Sequence, residues 1–161
     1  MSKGIGVLLR AGLLLLAVLL PSAWPLGVPR ADLVILVVAA AALMGGPRTG
    51  LLVGLAGGWL VDLVPPGAEP LGATALTYAA VGGLLGLTRR WATASPLLPW
   101  LATALGAALV LAVRGVTAAA GIGRVAVSDL LWTWVITMLV AVIVLPALIA
   151  LERWLRERRW A

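Results

Sequence analysis

Residues 50–62 read GLLVGLAGGWLVD, with Gly50, Gly54, Gly58 and Asp62 spaced four apart. In a helix that spacing lays the four along one slowly rotating ridge. The residues between them are apolar enough for lipid. Glycines in register let a second helix approach closely, which is how helices associate in a bilayer, where no hydrophobic gain is available. Asp62 ends the ridge and shares its face, so it points at protein; a carboxylate turned to lipid is costly. There it can reach water, a turn amide or an arginine. Two readings follow: Asp62 shapes a docking surface or ligand cavity, or it is a helix-terminal acid bonded to its own loop.

The loop that follows, PPGAEPLGA at 65–73, stops the helix with two prolines and reverses the chain with Gly67. The next apolar run carries a second ridge of Thr74, Tyr78, Gly82 and Gly86, with Thr77 beside it. Small residues pack there and hydroxyls join helices. These two runs are expected to form the tightly packed centre of the molecule.

The whole chain fits this setting. Of its 161 residues 63% are hydrophobic, and mean hydropathy is +1.13, well above the roughly 45–50% apolar content of a soluble domain. An all-α, polytopic membrane protein is predicted, one helical domain over 1–161 with a short basic tail at 152–161. The length suits a bundle of about six spans of ~20 residues. The expected spans are 4–20, 32–44, 50–64, 71–87, 97–116 and 127–151. The first ends at Pro21 and reads as an uncleaved signal anchor, because Arg10 interrupts it and no small-x-small site follows. The last carries Pro146, where a kink is expected. Spans two and three reach only about 20–22 Å, short of a hydrocarbon core of about 30 Å. A re-entrant hairpin would strand Arg48 at mid-depth, so full crossings are favoured.

Orientation follows from the bases. With the N-terminus inside, Lys3, Arg48, Arg89, Arg90, Arg153, Arg156, Arg158 and Arg159 are cytoplasmic, and only Arg30 and Arg124 lie outside. Both termini are then cytoplasmic. Arg10 and Arg114 fall within spans. Asp129, after the cap residue Ser128, begins the last span and is expected to pair with Arg114 in the membrane, with Arg124 as an alternative partner. Thr133, Thr137 and Ala141 continue a polar and small ridge. In the tail, Trp154, Arg156, Arg158, Arg159 and Trp160 are placed to anchor on anionic lipids, with Glu152 and Arg156 as an i,i+4 pair. Trp24, Trp91 and Trp100 read as interface anchors as well, whereas Trp59, Trp132 and Trp134 are positioned to reach a pocket.

Cysteine and histidine are absent, which removes disulfides, thiolate nucleophiles, imidazole chemistry and the usual transition-metal ligands. Ser22, Ser95 and Ser128 have no base nearby in the sequence. Asp32, Asp62 and Asp129 are scattered one per segment, unlike a metal-binding acidic cluster. No enzyme activity, cofactor or metal is expected. The net charge of +6 reads as topology, not as a nucleic-acid surface.

The stretch PRTGLLVGLAGGWLVDLVPPGAEPLGATALTYAAVGGLLGLTRR, residues 47–90, resembles the bacterial rod-shape-determining protein MreD family. The glycine-rich span ending in Asp62, the Pro/Gly loop, Leu71 with Gly72, and the span with Tyr78 and its glycines carry the resemblance. Length and the basic C-terminus extend it over the chain. It implies a non-enzymatic inner-membrane component of the cell-wall elongation machinery. Its implied partners are MreC, with the RodA glycosyltransferase and a penicillin-binding transpeptidase nearby. Members of that family also resemble the substrate-binding subunits of energy-coupling-factor vitamin transporters in fold. A second expectation is therefore a vitamin cavity lined by Thr74, Thr77, Tyr78, Asp129 and Arg114. The scarcity of aromatics away from span ends favours the scaffold, since ligand pockets usually converge polar and aromatic groups.

Overall fold

The computed structural model describes residues 3–23, 30–64, 71–92, 95–121 and 126–160. The loop 65–70, Trp24 and Arg124 lie outside them, as do the side chains of Lys3, Arg156, Arg158, Arg159 and Trp160. Among the described residues the secondary structure is helical throughout. The helices are α1 (Lys3–Ser22), α2 (Leu33–Gly45), α3 (Pro47–Leu63), α4 (Ala73–Leu87), the single turn α5 (Arg89–Ala92), α6 (Leu98–Ala119) and α7 (Val127–Trp160). Among the described residues two regions, Leu98–Ala119 and Val127–Leu155, are long and apolar enough to cross a membrane.

The short α2 is the centre. Val34 to Leu43 are all buried, as expected of a helix that is apolar on every side. It packs against α1, α3, α4, α6 and α7. Asp32 starts it, accepting the Ile35 N–H at 3.2 Å through Oδ1, a side-chain cap on an otherwise orphaned amide. Gly46 ends it at φ +85°, donating its N–H to the Ala42 carbonyl at 2.7 Å, and the same residue precedes Pro47 at the start of α3. One left-handed glycine thus reverses the chain with no loop, and Pro47 sits where a missing N–H costs nothing.

The outer helices turn a narrow stripe inward. On α7 the stripe is Thr137, Ala141, Leu145, Leu148, Glu152 and Leu155, the three-and-four spacing of a helix seam. On α6 it is Ala102, Thr103, Gly106, Ala107, Val110 and Leu111. Their opposite faces are leucines, valines, an isoleucine and tryptophans left exposed, among them Leu101, Leu105, Leu139, Val142 and Ile143. An apolar perimeter this extensive is foreign to a water-facing surface.

Three boundaries differ from expectation. α1 continues through Pro21 to Ser22, because at the last turn the lost proline N–H is a single bond. Ser22 Oγ also donates to the Leu19 carbonyl at 2.7 Å. α7 contains Pro146, as span six does, but extends past residue 151 through the tail to Trp160. The segment LERWLRERRW has neither glycine nor proline to stop it. The turn α5 adds to the expected spans; the Thr88 hydroxyl closes α4 by donating to the Leu85 carbonyl at 2.8 Å, and the chain then re-enters helix.

Candidate functional site

The glycine ridge lies against α4, and the two helices run antiparallel. A Cβ placed on Gly50 would overlap the Gly82 carbonyl, and one on Gly82 would overlap that of Gly50. At Gly54 it would strike the Tyr78 carbonyl, at Gly58 the Thr74 carbonyl and the Ala75 backbone, and at Gly86 the Gly46–Pro47 backbone. Backbone meets backbone along the whole length of α3. The face is therefore occupied within the chain, and no part of that seam is open to another protein. Gly57, off the ridge, serves a second contact: a Cβ there would stand 2.8 Å from Val34 and 3.0 Å from Leu14. α3 thus has glycine on two sides, one for α4 and one for α2 with α1.

Asp62 closes the open end of this seam. Its Oδ2 accepts the N–H of Gly72 at 3.0 Å and of Ala75 at 3.2 Å. Gly72, at φ +92°, is the N-cap of α4 and has no side chain with which to cap it. The acid at the end of one helix thereby caps the next across the loop, satisfying orphan amides and meeting the positive end of the α4 dipole. Asp62 is 4% exposed. Among the described residues its Oδ1 has no hydrogen-bond partner.

A second polar group joins four helices inside the bundle. Tyr78, fully buried on α4, donates its hydroxyl proton to Asp32 Oδ2 and accepts from Arg114 Nη2 at 3.0 Å. Arg114 Nη2 also stands 3.8 Å from Asp32 Oδ2, and the guanidinium carbon is 5.9 Å from the Tyr78 ring centre. The Asp32 N–H donates to Thr137 Oγ1 at 2.8 Å, and that hydroxyl donates to the Thr133 carbonyl at 2.6 Å. α2, α4, α6 and α7 are tied at one point. The expected Arg114–Asp129 pair does not form: Arg114 turns inward to Asp32 and Tyr78, and Asp129 is exposed on the first turn of α7. A partly exposed guanidinium gains more from a buried acid and a buried phenol than from a water-facing carboxylate.

A third contact fastens α1 to α7. Arg10 donates from Nε to Glu152 Oε1 at 2.7 Å and from Nη2 to Oε2 at 2.6 Å, with side chains 15% and 6% exposed. This bidentate pair is the bond Glu152 makes among the described residues; the expected Glu152–Arg156 pair falls on a side chain outside them. The two charges stand at matching depth, Arg10 two turns into α1 from its N-terminus and Glu152 two turns before the end of α7. Depth matching was the available signal, and it also points to Asp32, Tyr78 and Arg114.

The expected vitamin-site residues do not converge. Tyr78 and Arg114 meet, but Thr77 donates to the Ala73 carbonyl of its own helix at 2.8 Å and Asp129 faces outward. Of the tryptophans, Trp134 donates Nε1–H to the Ala104 carbonyl at 3.1 Å and so links α7 to α6, while Trp59 and Trp132 are exposed. Arg90 lies 4.4 Å over the Trp91 ring, and Trp154 is exposed on α7. No protein-family model matches the chain, and no curated protein or solved structure matches it either.

Proposed function

We propose that this chain is a non-enzymatic, multi-pass scaffold of the bacterial inner membrane: a bundle of six spans with both termini cytoplasmic. Its α1, α6 and α7 faces hold an MreC-like partner beside a RodA-like glycosyltransferase and a penicillin-binding transpeptidase. The reading rests first on the resemblance carried by residues 47–90. The observation that carries it furthest is the division of labour between inside and outside. Arg10, Glu152, Asp32 and Arg114 are spent on one another in the interior, the glycine seam is closed, and the perimeter is helix covered with apolar side chains. Such a molecule offers surfaces to helices and lipids. The vitamin-transporter alternative is less well supported, because the side chains it needs are bonded elsewhere.

Affinity capture from native bacterial membranes tests this reading. The scaffold role predicts an MreC-like bitopic protein in stoichiometric yield, lost when bulky or charged residues are placed on exposed positions such as Leu105 or Ile143. A purified chain that carries a tightly bound small molecule and no protein partner would reverse the choice.

A further inference from the structure

Where the α3–α4 seam ends, the helices part around an open groove of about 600 Å³ walled by Leu55, Trp59, Leu63, Leu71 and Leu76, with Asp62 on its lining. The size is that of a small-molecule site. Trp59, Leu63, Leu71 and Leu76 are exposed, so the groove opens onto the apolar perimeter and not into the bundle. Its polar member is unusual. Asp62 is 4% exposed, its Oδ2 is used by two amides, and among the described residues its buried Oδ1 has no hydrogen-bond partner. Neither ion pair found among the described residues includes it. A buried carboxylate oxygen calls for a donor, and a cationic one above all.

The shape selects among cationic donors. A transmembrane helix is about 10–12 Å across and would bring only a side chain or two into a slot of this size. Alkyl chains lie along leucine walls without loss, and a compact headgroup above them reaches the acid. We infer that the groove binds one phospholipid with a primary-amine headgroup, its chains against Leu55, Leu63, Leu71 and Leu76 and its ammonium on the Asp62 carboxylate. A quaternary ammonium has the charge but no N–H to give, and an anionic headgroup is repelled. The inference rests on the multi-span membrane reading above and is independent of the scaffold role.

Native mass spectrometry of the purified full chain decides it, with phosphatidylethanolamine, phosphatidylcholine and phosphatidylglycerol of identical acyl chains as probes. One phosphatidylethanolamine is expected to be retained about tenfold over the other two, the scale of one charge-assisted hydrogen bond. Asp62→Asn is expected to abolish that preference. Leu76→Trp, at a position 69% exposed, fills the groove and lowers retention of all three. Equal retention of the three lipids by the unaltered chain overturns the inference, as does an undiminished preference in Asp62→Asn. Should that variant not fold, undiminished phosphatidylethanolamine retention by Leu76→Trp overturns it instead. A photo-crosslinking residue at Leu76 in native membranes is expected to label lipid; labelling of a polypeptide gives the groove to a partner helix and overturns the inference. Release of the chain by alkaline carbonate would defeat the membrane reading itself, whereas a retained chain with no lipid preference defeats the groove alone.

Discussion

Between α3 and α4 the backbones touch, whereas between α6 and α7 side chains keep them apart. At Gly50, Gly54, Gly58, Gly82 and Gly86 there is no room for a single methyl group. Along α6–α7 the contacts include a tryptophan bonded to a carbonyl and a leucine 3.3 Å from where a Gly115 Cβ would be. The first pair has its position fixed by main-chain shape. The second is held by side chains that can be exchanged. In a bilayer this difference matters, because dispersion and hydrogen bonds carry helix association there, and only close backbones collect dispersion along a whole helix. The α3–α4 hairpin is therefore the rigid element, and the faces of α6 and α7 are the adaptable ones.

The largest effect is expected at the seam. Gly54→Leu drives a side chain into the Tyr78 carbonyl and should prevent accumulation of folded protein, since overpacking by even a methylene costs roughly 1–3 kcal/mol. Gly115→Ala, at the α6–α7 contact, should be tolerated. Thermal unfolding of both purified variants in detergent checks the contrast, and equal behaviour would erase it.

Next come the charges that tie the loosely packed helices down. Glu152→Gln or Arg10→Ala leaves a buried partner unpaired and should cost about 3–5 kcal/mol, with much of the loss recovered in Arg10→Met/Glu152→Leu. A double-mutant cycle measures the coupling. Tyr78→Phe removes the hydroxyl between Asp32 and Arg114 and should cost about 1–3 kcal/mol, read as a shift in the unfolding midpoint. Asp62→Ala should cost about 0.5–2 kcal/mol as a lost helix cap, with Asp62→Asn smaller because an amide oxygen still accepts. Asp129→Asn, on an exposed first turn, is expected to stay within about 0.5 kcal/mol of the parent chain.

The sequence was most informative where one element carried the whole signal. A four-residue period of glycine can be read without a partner, so the ridge on α3 and its continuation on α4 were legible. Pairings between elements were less so. Arg10 interrupts span one with no acid near it along the chain, because its partner Glu152 is 142 positions away. Of the two readings of Asp62, the bond to its own loop holds at Gly72, and the sequence did not reveal that the same oxygen also reaches Ala75 in the first turn of the next helix. Asp129 drew Arg114 by proximity along the chain, although Asp32, far off in sequence, is the acid at Tyr78. Span two is shorter than a hydrocarbon core is thick, and that length suits α2 as the buried centre, packed against α1, α3, α4, α5, α6 and α7. The tail was separated from span six on composition alone, though nothing in its residues ends a helix.

Cysteine crosslinking tests the sealed seam most directly, and the chain contains no cysteine of its own. A Cβ on Gly83 would stand 4.0 Å from that of Leu51, within the separation of about 3.5–4.5 Å that a disulfide requires. In native membranes under mild oxidation, Leu51→Cys/Gly83→Cys should form the bond within one chain, nearly to completion and without dimer. A disulfide between two chains, or none at all, would mean that α3 turns its glycines to another protein and that the seam described here does not exist.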